Sequence, residues 1–232
     1  MPKAYVNGGW GASAIFMAMS GMLSCIACRM LIDVGLDINI FSYPLIVEKV
    51  LGKKSRFVLE LAIAITQFGF VISFCVYLLE SWKTSVDTIF DTETSIISYA
   101  VIVFIIFTAM TWVRDLAKFS FAFIFGVILV LVTVTYVIFY ACNEIAENGP
   151  GPDVMFINPA GYMNTIGYTI YCYEGIGIVM PIMATCDQPK RFKEILTYAF
   201  IVLIVFYISY PEIAYFGWGS SMDQPIITQM LP

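Results

Sequence analysis

Histidine is absent from all 232 residues. That excludes a His-centred metal site, a histidine-based triad or a histidine proton relay built from this chain. Charge is scarce as well. Only 12% of the residues are Asp, Glu, Lys or Arg, where soluble domains carry about 25%. The signatures G-x-x-x-x-G-K-[ST], G-x-G-x-x-G and G-x-S-x-G do not occur. Neither an ATP-driven pump nor an enzyme has a motif here, and no cofactor or nucleic-acid partner is expected. No N-x-[ST] glycosylation acceptor occurs. The six cysteines include one C-x-x-C, Cys25 and Cys28, but it lies in an apolar run with no second pair. All six read as apolar packing residues, with no metal site and no disulfide among them.

What is present is hydrophobicity. Apolar residues make up 60% of the chain, and the mean hydropathy is +0.85. This is the composition of an all-α integral membrane protein embedded in a lipid bilayer. Crossing a bilayer takes about 20 apolar residues, and six segments reach that scale: residues 11–32, 57–80, 95–113, 121–142, 162–183 and 195–217. Apolar residues surround each segment on all sides, as in a lipid-embedded helix. Short loops and no linker predict a single transmembrane domain over 1–232.

Basic residues orient the spans. Ten of the twelve Lys and Arg fall in or beside the loops 33–56, 114–120 and 184–194, which alternate with loops that are acidic. By the positive-inside rule those three loops face the cytosol. The acidic side carries Asp87, Asp91, Glu93, Glu144, Glu147 and Asp153. Within the first cytosolic loop, Ser42 and Pro44 give a helix start and Gly52 a stop around Leu45, Val47, Val50 and Leu51. That pattern predicts a short interfacial helix. Trp82, Trp112 and Trp218 stand at span ends as an aromatic belt. Pro211 and Glu212 predict an interruption or kink near the end of the last span, and Glu60 reads as paired or interfacial. The N-terminus shows no signal-peptide pattern and the C-terminus no polar tail, so both ends read as cut from a larger transporter.

One stretch stands apart. In "YCYEGIGIVMP" (171–181) a carboxylate and two glycines interrupt a hydrophobic run. Glu174 falls near the centre of the fifth span, where a charge costs a few kcal/mol and persists only with a partner or a cavity. Gly175 and Gly177 weaken the helix at the same point, and a broken helix frees backbone groups that must be satisfied. The two costs coincide, as they do in discontinuous transporter helices. The alternative is that the glycines only allow close helix packing. Thr66 and Gln67, beside Gly69, lie at the centre of the second span. There a glutamine either joins helices or faces a pocket.

"YEGIGIVMPI" resembles the sixth-helix signature of the amino acid/auxin permease family, especially its proton-coupled amino acid transporter branch. "LAIAITQFGFVISFCVYLLES" is similar to that branch's third helix, "SYPLIVEKVLGKKSR" to the loop before it, and "MPKAYVNGGW" to the second half of the first helix. The resemblance covers nearly the whole chain in order. Tyr173 stands where the family usually carries Phe. The resemblance implies part of a LeuT-type inverted-repeat fold, with the six spans as helices two to seven. It also implies secondary active transport of amino acids, with H+ or Na+ as the coupling ion. Tyr173, Glu174, Gly175 and Gly177, with Thr66 and Gln67, are then the substrate-binding residues. The expected location is the plasma membrane or a vacuolar or lysosomal membrane. The competing expectation is a truncated, non-transporting relative that acts as a scaffold or subunit among other membrane subunits.

Overall fold

A computed structural model of the chain describes residues 2–91, 95–112, 120–186 and 188–222. Met1, Glu93, residues 114–119 of the second expected cytosolic loop, and the chain after Met222 lie outside the described residues. The described chain is helical throughout its regular structure. In order it forms α1 (Pro2–Gly8), α2 (Trp10–Ile38), α3 (Tyr43–Leu51), α4 (Lys53–Phe90), α5 (Ile96–Thr111), α6 (Ser120–Asn148), α7 (Tyr162–Cys172), α8 (Ile176–Ala184) and α9 (Pro189–Trp218). A 3-10 turn, Gly219–Ser221, follows α9.

Among the described residues, five helical stretches are long and apolar enough to cross a membrane: α2, α4, α6, the α7–α8 pair and α9. The third expected span forms α5, which is apolar but has only 16 residues. Ser95 starts it by accepting a hydrogen bond from the Ile97 amide, an N-cap.

Several boundaries differ from expectation. The second span continues well past residue 80: α4 runs for 38 residues, roughly 57 Å at 1.5 Å per residue. No Gly or Pro lies between Ser81 and Phe90 to stop it, and Lys83 pairs with Asp87 one turn on at 2.6 Å, which supports helix there. The last span is not broken at Pro211. The helix passes through it, and the Tyr5 hydroxyl donates to the Ile208 carbonyl beside the proline, at 3.3 Å. The short helix in the 33–56 loop is present as α3, with Pro44 at its start and Gly52 (φ 88) after its end. Its buried residue is Ile46, whereas Leu45, Val50 and Leu51 are exposed.

The chain divides into two compact units, one of Met1–Phe57 with Val132–Pro232 and one of Val58–Leu131. The second unit holds most of α4, all of α5 and the first part of α6. No residue of α4 is buried. Tyr99 and Val103 of α5 are buried, and the Tyr99 hydroxyl donates to Asp87 at 3.3 Å.

The first unit contains two apolar cores. One gathers Cys28, Leu31 and Ile32 of α2, Ile46 of α3, Val179, Met180 and Met183 of α8, and Phe192 of α9. The other gathers Tyr5 of α1, Met17 of α2, Val137 of α6, Tyr173, and Ala214 and Tyr215 of α9 with Met222 beyond it. The expected fifth span is therefore held in two places by two cores. α8 belongs to the first core, and Tyr173, at the end of α7, belongs to the second.

Candidate functional site

The junction of α1 with α2 is fixed by polar groups of Met155, Phe156 and Asn158, distant from it along the chain. Gly9 sits at φ 81, a left-handed backbone that glycine adopts without a steric penalty. The helix that starts after it has unpaired leading amides. Here the carbonyl of Met155 accepts from Trp10, and the carbonyl of Phe156 accepts from Gly11 and Ala12. The Phe156 ring meets Trp10 edge-on at 4.7 Å. Asn158 completes the strap, donating its amide to Gly8 O and its side chain to Val6 O.

Beneath the strap runs a seam of small polar side chains. Ser13, Thr165 and Thr169 are fully buried. The Thr165 and Ser13 hydroxyls both donate to the Ala4 carbonyl, at 2.9 and 3.3 Å. The Ser20 hydroxyl donates to Thr169 at 3.1 Å, and Thr169 donates on to Ile166 O. These bonds tie α1, α2 and α7 together where apolar packing alone sets no register. The sequence reading missed these residues. The signal was there in spacing: Ser13 and Ser20 lie two turns apart, and Thr165 and Thr169 one turn apart, so each pair shares a helix face.

The seam leads to the interruption. α7 ends at Cys172, Tyr173 caps it, and α8 begins at Ile176 after Gly175. This lies near the middle of the 23-residue span Tyr162–Ala184. The last amides of α7 tighten into three-residue bonds, Tyr173 to Ile170 and Glu174 to Tyr171. Past Gly175 a new helix starts, so the amides of Ile176 and Gly177 in its first turn have no acceptor within α8. Gly175 is in extended backbone (φ 169), and a Cβ at either Gly175 or Gly177 would meet nothing within 4 Å. Among the described residues, the two glycines therefore serve no close helix packing. They leave open space beside the free amides.

Tyr173 is buried, and its hydroxyl makes no hydrogen bond among the described residues. Such a group costs about 1–3 kcal/mol unless something pairs with it. Its ring stacks on Phe200 at 6.3 Å and meets Tyr207 at 5.5 Å, both on α9. Gly21 of α2 lets the ring tip in, since a Cβ there would stand 2.9 Å from the Tyr173 ring. Tyr5 of α1 shares the core with Tyr173.

Glu174 is exposed in the unwound segment and pairs with no cation among the described residues. The structure brings Tyr173, Glu174, Gly175 and Gly177 into one break. Thr66 and Gln67 belong to the other unit. Both are exposed on α4, and the Thr66 hydroxyl donates to Ala62 O one turn back at 2.9 Å.

The span is thus broken in its middle, with the start of α8 on one side of the break and the buried Tyr173 hydroxyl on the other. The sequence profile of a family described as "Transmembrane amino acid transporter protein" matches residues 1–232. The chain belongs to this family. The resemblance to amino acid/auxin permeases expected from the helix signatures is thereby borne out. Among curated proteins, the chain is similar to Vacuolar amino acid transporter 3 of Saccharomyces cerevisiae, 28% identical over 98% of this chain and 33% of that protein. It is 26% identical to Vacuolar amino acid transporter 3 of Schizosaccharomyces pombe, over 99% of this chain and 35% of that protein. Amino acid transporter ANT1 of Arabidopsis thaliana is 22% identical over all of this chain and 55% of that protein. The chain thus spans about a third of the length of its yeast relatives in this transporter family. No solved structure matches it.

Proposed function

We propose that the intact protein is a secondary transporter of amino acids and that the Tyr173–Gly177 break is where substrate is held. The observation that carries this reading is the interruption itself. Two half-helices are anchored in separate cores, and glycines keep the space beside the free amides clear. The amides of Ile176 and Gly177 suit the substrate's α-carboxylate, because an N-terminal helix end favours an anion. Carbonyls at the end of α7 suit its ammonium group or a coupling cation. Tyr173 supplies a hydroxyl that gains a partner when substrate arrives.

An ion gradient, of H+ or Na+, is the proposed energy source. The packing of α1 against α7 supports a LeuT-type arrangement, in which two interrupted helices face each other across the substrate. The names of the yeast relatives support a vacuolar-type membrane. The distribution of Lys and Arg supports cytosolic placement of loops 33–56, 114–120 and 184–194.

The test is uptake by the intact protein in proteoliposomes, using a panel of labelled amino acids with imposed proton or sodium gradients. Saturable uptake, raised by one gradient and competed by free amino acids, is expected. Their methyl esters and N-acetyl derivatives should compete at least about tenfold less well, since each loses a charged group worth at least ~1.4 kcal/mol. Equal competition by the blocked forms would remove the backbone site from the mechanism.

A further inference from the structure

Away from the break, α2 and α9 enclose an open groove of about 410 Å³. Met22, Ile26 and Met30 line it from α2, and Phe200, Ile201 and Ile204 from α9. Met22, Ile26 and Met30 recur every four positions on α2, and Ile204 follows Phe200 and Ile201 by four and three on α9, so each set shares one apolar face. The groove ends in charge. Arg29, Asp33 and Lys193 line the same cavity, and from Met22 to Arg29 is roughly 10 Å along the axis of α2.

The charges do not cancel. Lys193 reaches both Asp33 oxygens, at 2.7 and 2.6 Å, so lysine and aspartate neutralise each other. Arg29 donates to the neutral Thr197 hydroxyl at 3.4 Å. Among the described residues no carboxylate forms a salt bridge with it. A guanidinium carries five donors, so most of Arg29 remains available. One unit of positive charge is left over, on the side chain best shaped to grip a phosphate with two parallel hydrogen bonds.

We propose that this groove binds one anionic glycerophospholipid, with an acyl chain along the Met22–Ile204 face and its phosphodiester at Arg29 beside the Lys193–Asp33 pair. An apolar cleft ending in an uncompensated cation matches a lipid headgroup and the adjoining part of one acyl chain in polarity and charge. Basic pockets between transmembrane helices are established sites for anionic headgroups. A zwitterionic choline lipid brings its own cation to the mouth and gains nothing from the excess charge. The groove shares no residue with the proposed substrate site except Phe200, whose ring lies against Tyr173. Lipid occupancy and amino acid transport are therefore separately measurable.

The experiment is native mass spectrometry of the intact protein released from detergent micelles, titrated with phosphatidylserine or phosphatidylcholine of identical chains. Glycerophosphoserine serves as the headgroup without chains. Phosphatidylserine should be retained about fivefold more than phosphatidylcholine, the scale of one interfacial basic residue. Arg29→Gln should abolish that preference and Arg29→Lys should keep part of it. Ile201→Trp, which fills the groove from an exposed position, should lower retention of both lipids. Equal retention of the two lipids by the unmodified protein would overturn the proposal, as would a preference that survives Arg29→Gln. Glycerophosphoserine binding as tightly as phosphatidylserine would reduce the site to a bare anion contact and overturn the lipid assignment. Should Arg29→Gln fail to fold, the unmodified protein's lipid preference and the Ile201→Trp result still decide.

Discussion

Tyr173 carries a buried hydroxyl that finds no hydrogen-bond partner among the described residues. Removing it separates stability from function. Tyr173→Phe should melt at the same temperature or slightly higher, because a desolvated donor worth about 1 kcal/mol is deleted and the ring stacking on Phe200 stays. Apparent affinity for amino acid should fall about fivefold or more, the scale of one lost hydrogen bond. Thermal unfolding and concentration-dependent uptake read the two separately. For Glu174, three roles remain distinguishable: proton coupling, ammonium pairing, or a clasp on freed amides. Glu174→Gln should leave expression intact. Loss of uphill accumulation with retained exchange marks coupling, and weakened affinity at every pH marks ammonium pairing. Near-normal transport in Glu174→Gln with poor folding in Glu174→Leu marks the clasp. Glu174 was legible in the sequence because a carboxylate in an apolar run has few structural excuses. The burial of Tyr173 was not, because it is made by Gly21, Phe200 and Tyr207, whose convergence no local pattern announces.

At the scale of an element, the α7–α8 break and the α1–α2 junction use glycine in opposite ways. A Cβ at Gly175 meets nothing, whereas one at Gly8 would stand 2.5 Å from the Thr165 hydroxyl oxygen and 2.8 Å from that of Ser13. Gly175→Ala should therefore be tolerated to within about 0.5 kcal/mol of unfolding free energy. Gly8→Ala should cost about 1–3 kcal/mol by wedging α1 from α7. Comparing the two in a denaturant or thermal series checks the difference. The apolar runs of the sequence lie in helices of the structure, but some helix ends fall elsewhere than the runs end. The run from Ser81 to Phe90 reads as polar loop by hydropathy, yet it contains no breaker and one helical ion pair. Pro211 reads as an interruption or a kink, yet α9 continues through it, since proline removes only one backbone donor. Neither outcome follows from hydrophobicity alone, because helix continuation is decided by backbone bonding and hydrophobicity by environment.

For the molecule as a whole, the membrane class was readable from composition, since no water-soluble arrangement hides so much apolar surface. The sidedness reading makes a direct prediction. Cysteines introduced at Lys53 and Lys190 should react with an impermeant maleimide only from the cytosol, and one at Asp153 only from the opposite side. Labelling of 53 and 153 from one side would reverse the assignment of loops. What composition could not supply was the convergence of distant segments. Ala4 accepts hydrogen bonds from Ser13 and from Thr165, 161 residues away along the chain. Side-chain periodicity gives a helix its faces but never names the partner for each face.

The strap around residues 151–158 has a practical consequence for anyone wishing to mark this protein on living membranes. Its backbone is pinned twice, to the end of α9 through Gly151 and Pro152 and to the start of α2 through Met155 and Phe156. Gly149, just before it, has φ 80 and open space around its α-carbon. An epitope spliced after Gly149 should be displayed without loss of expression. The same epitope spliced between Phe156 and Ile157 should strip the first amides of α2 of their acceptors and clear the protein from the cell. A few residues of spacing thus separate a usable insertion point from one that unravels the helix it touches.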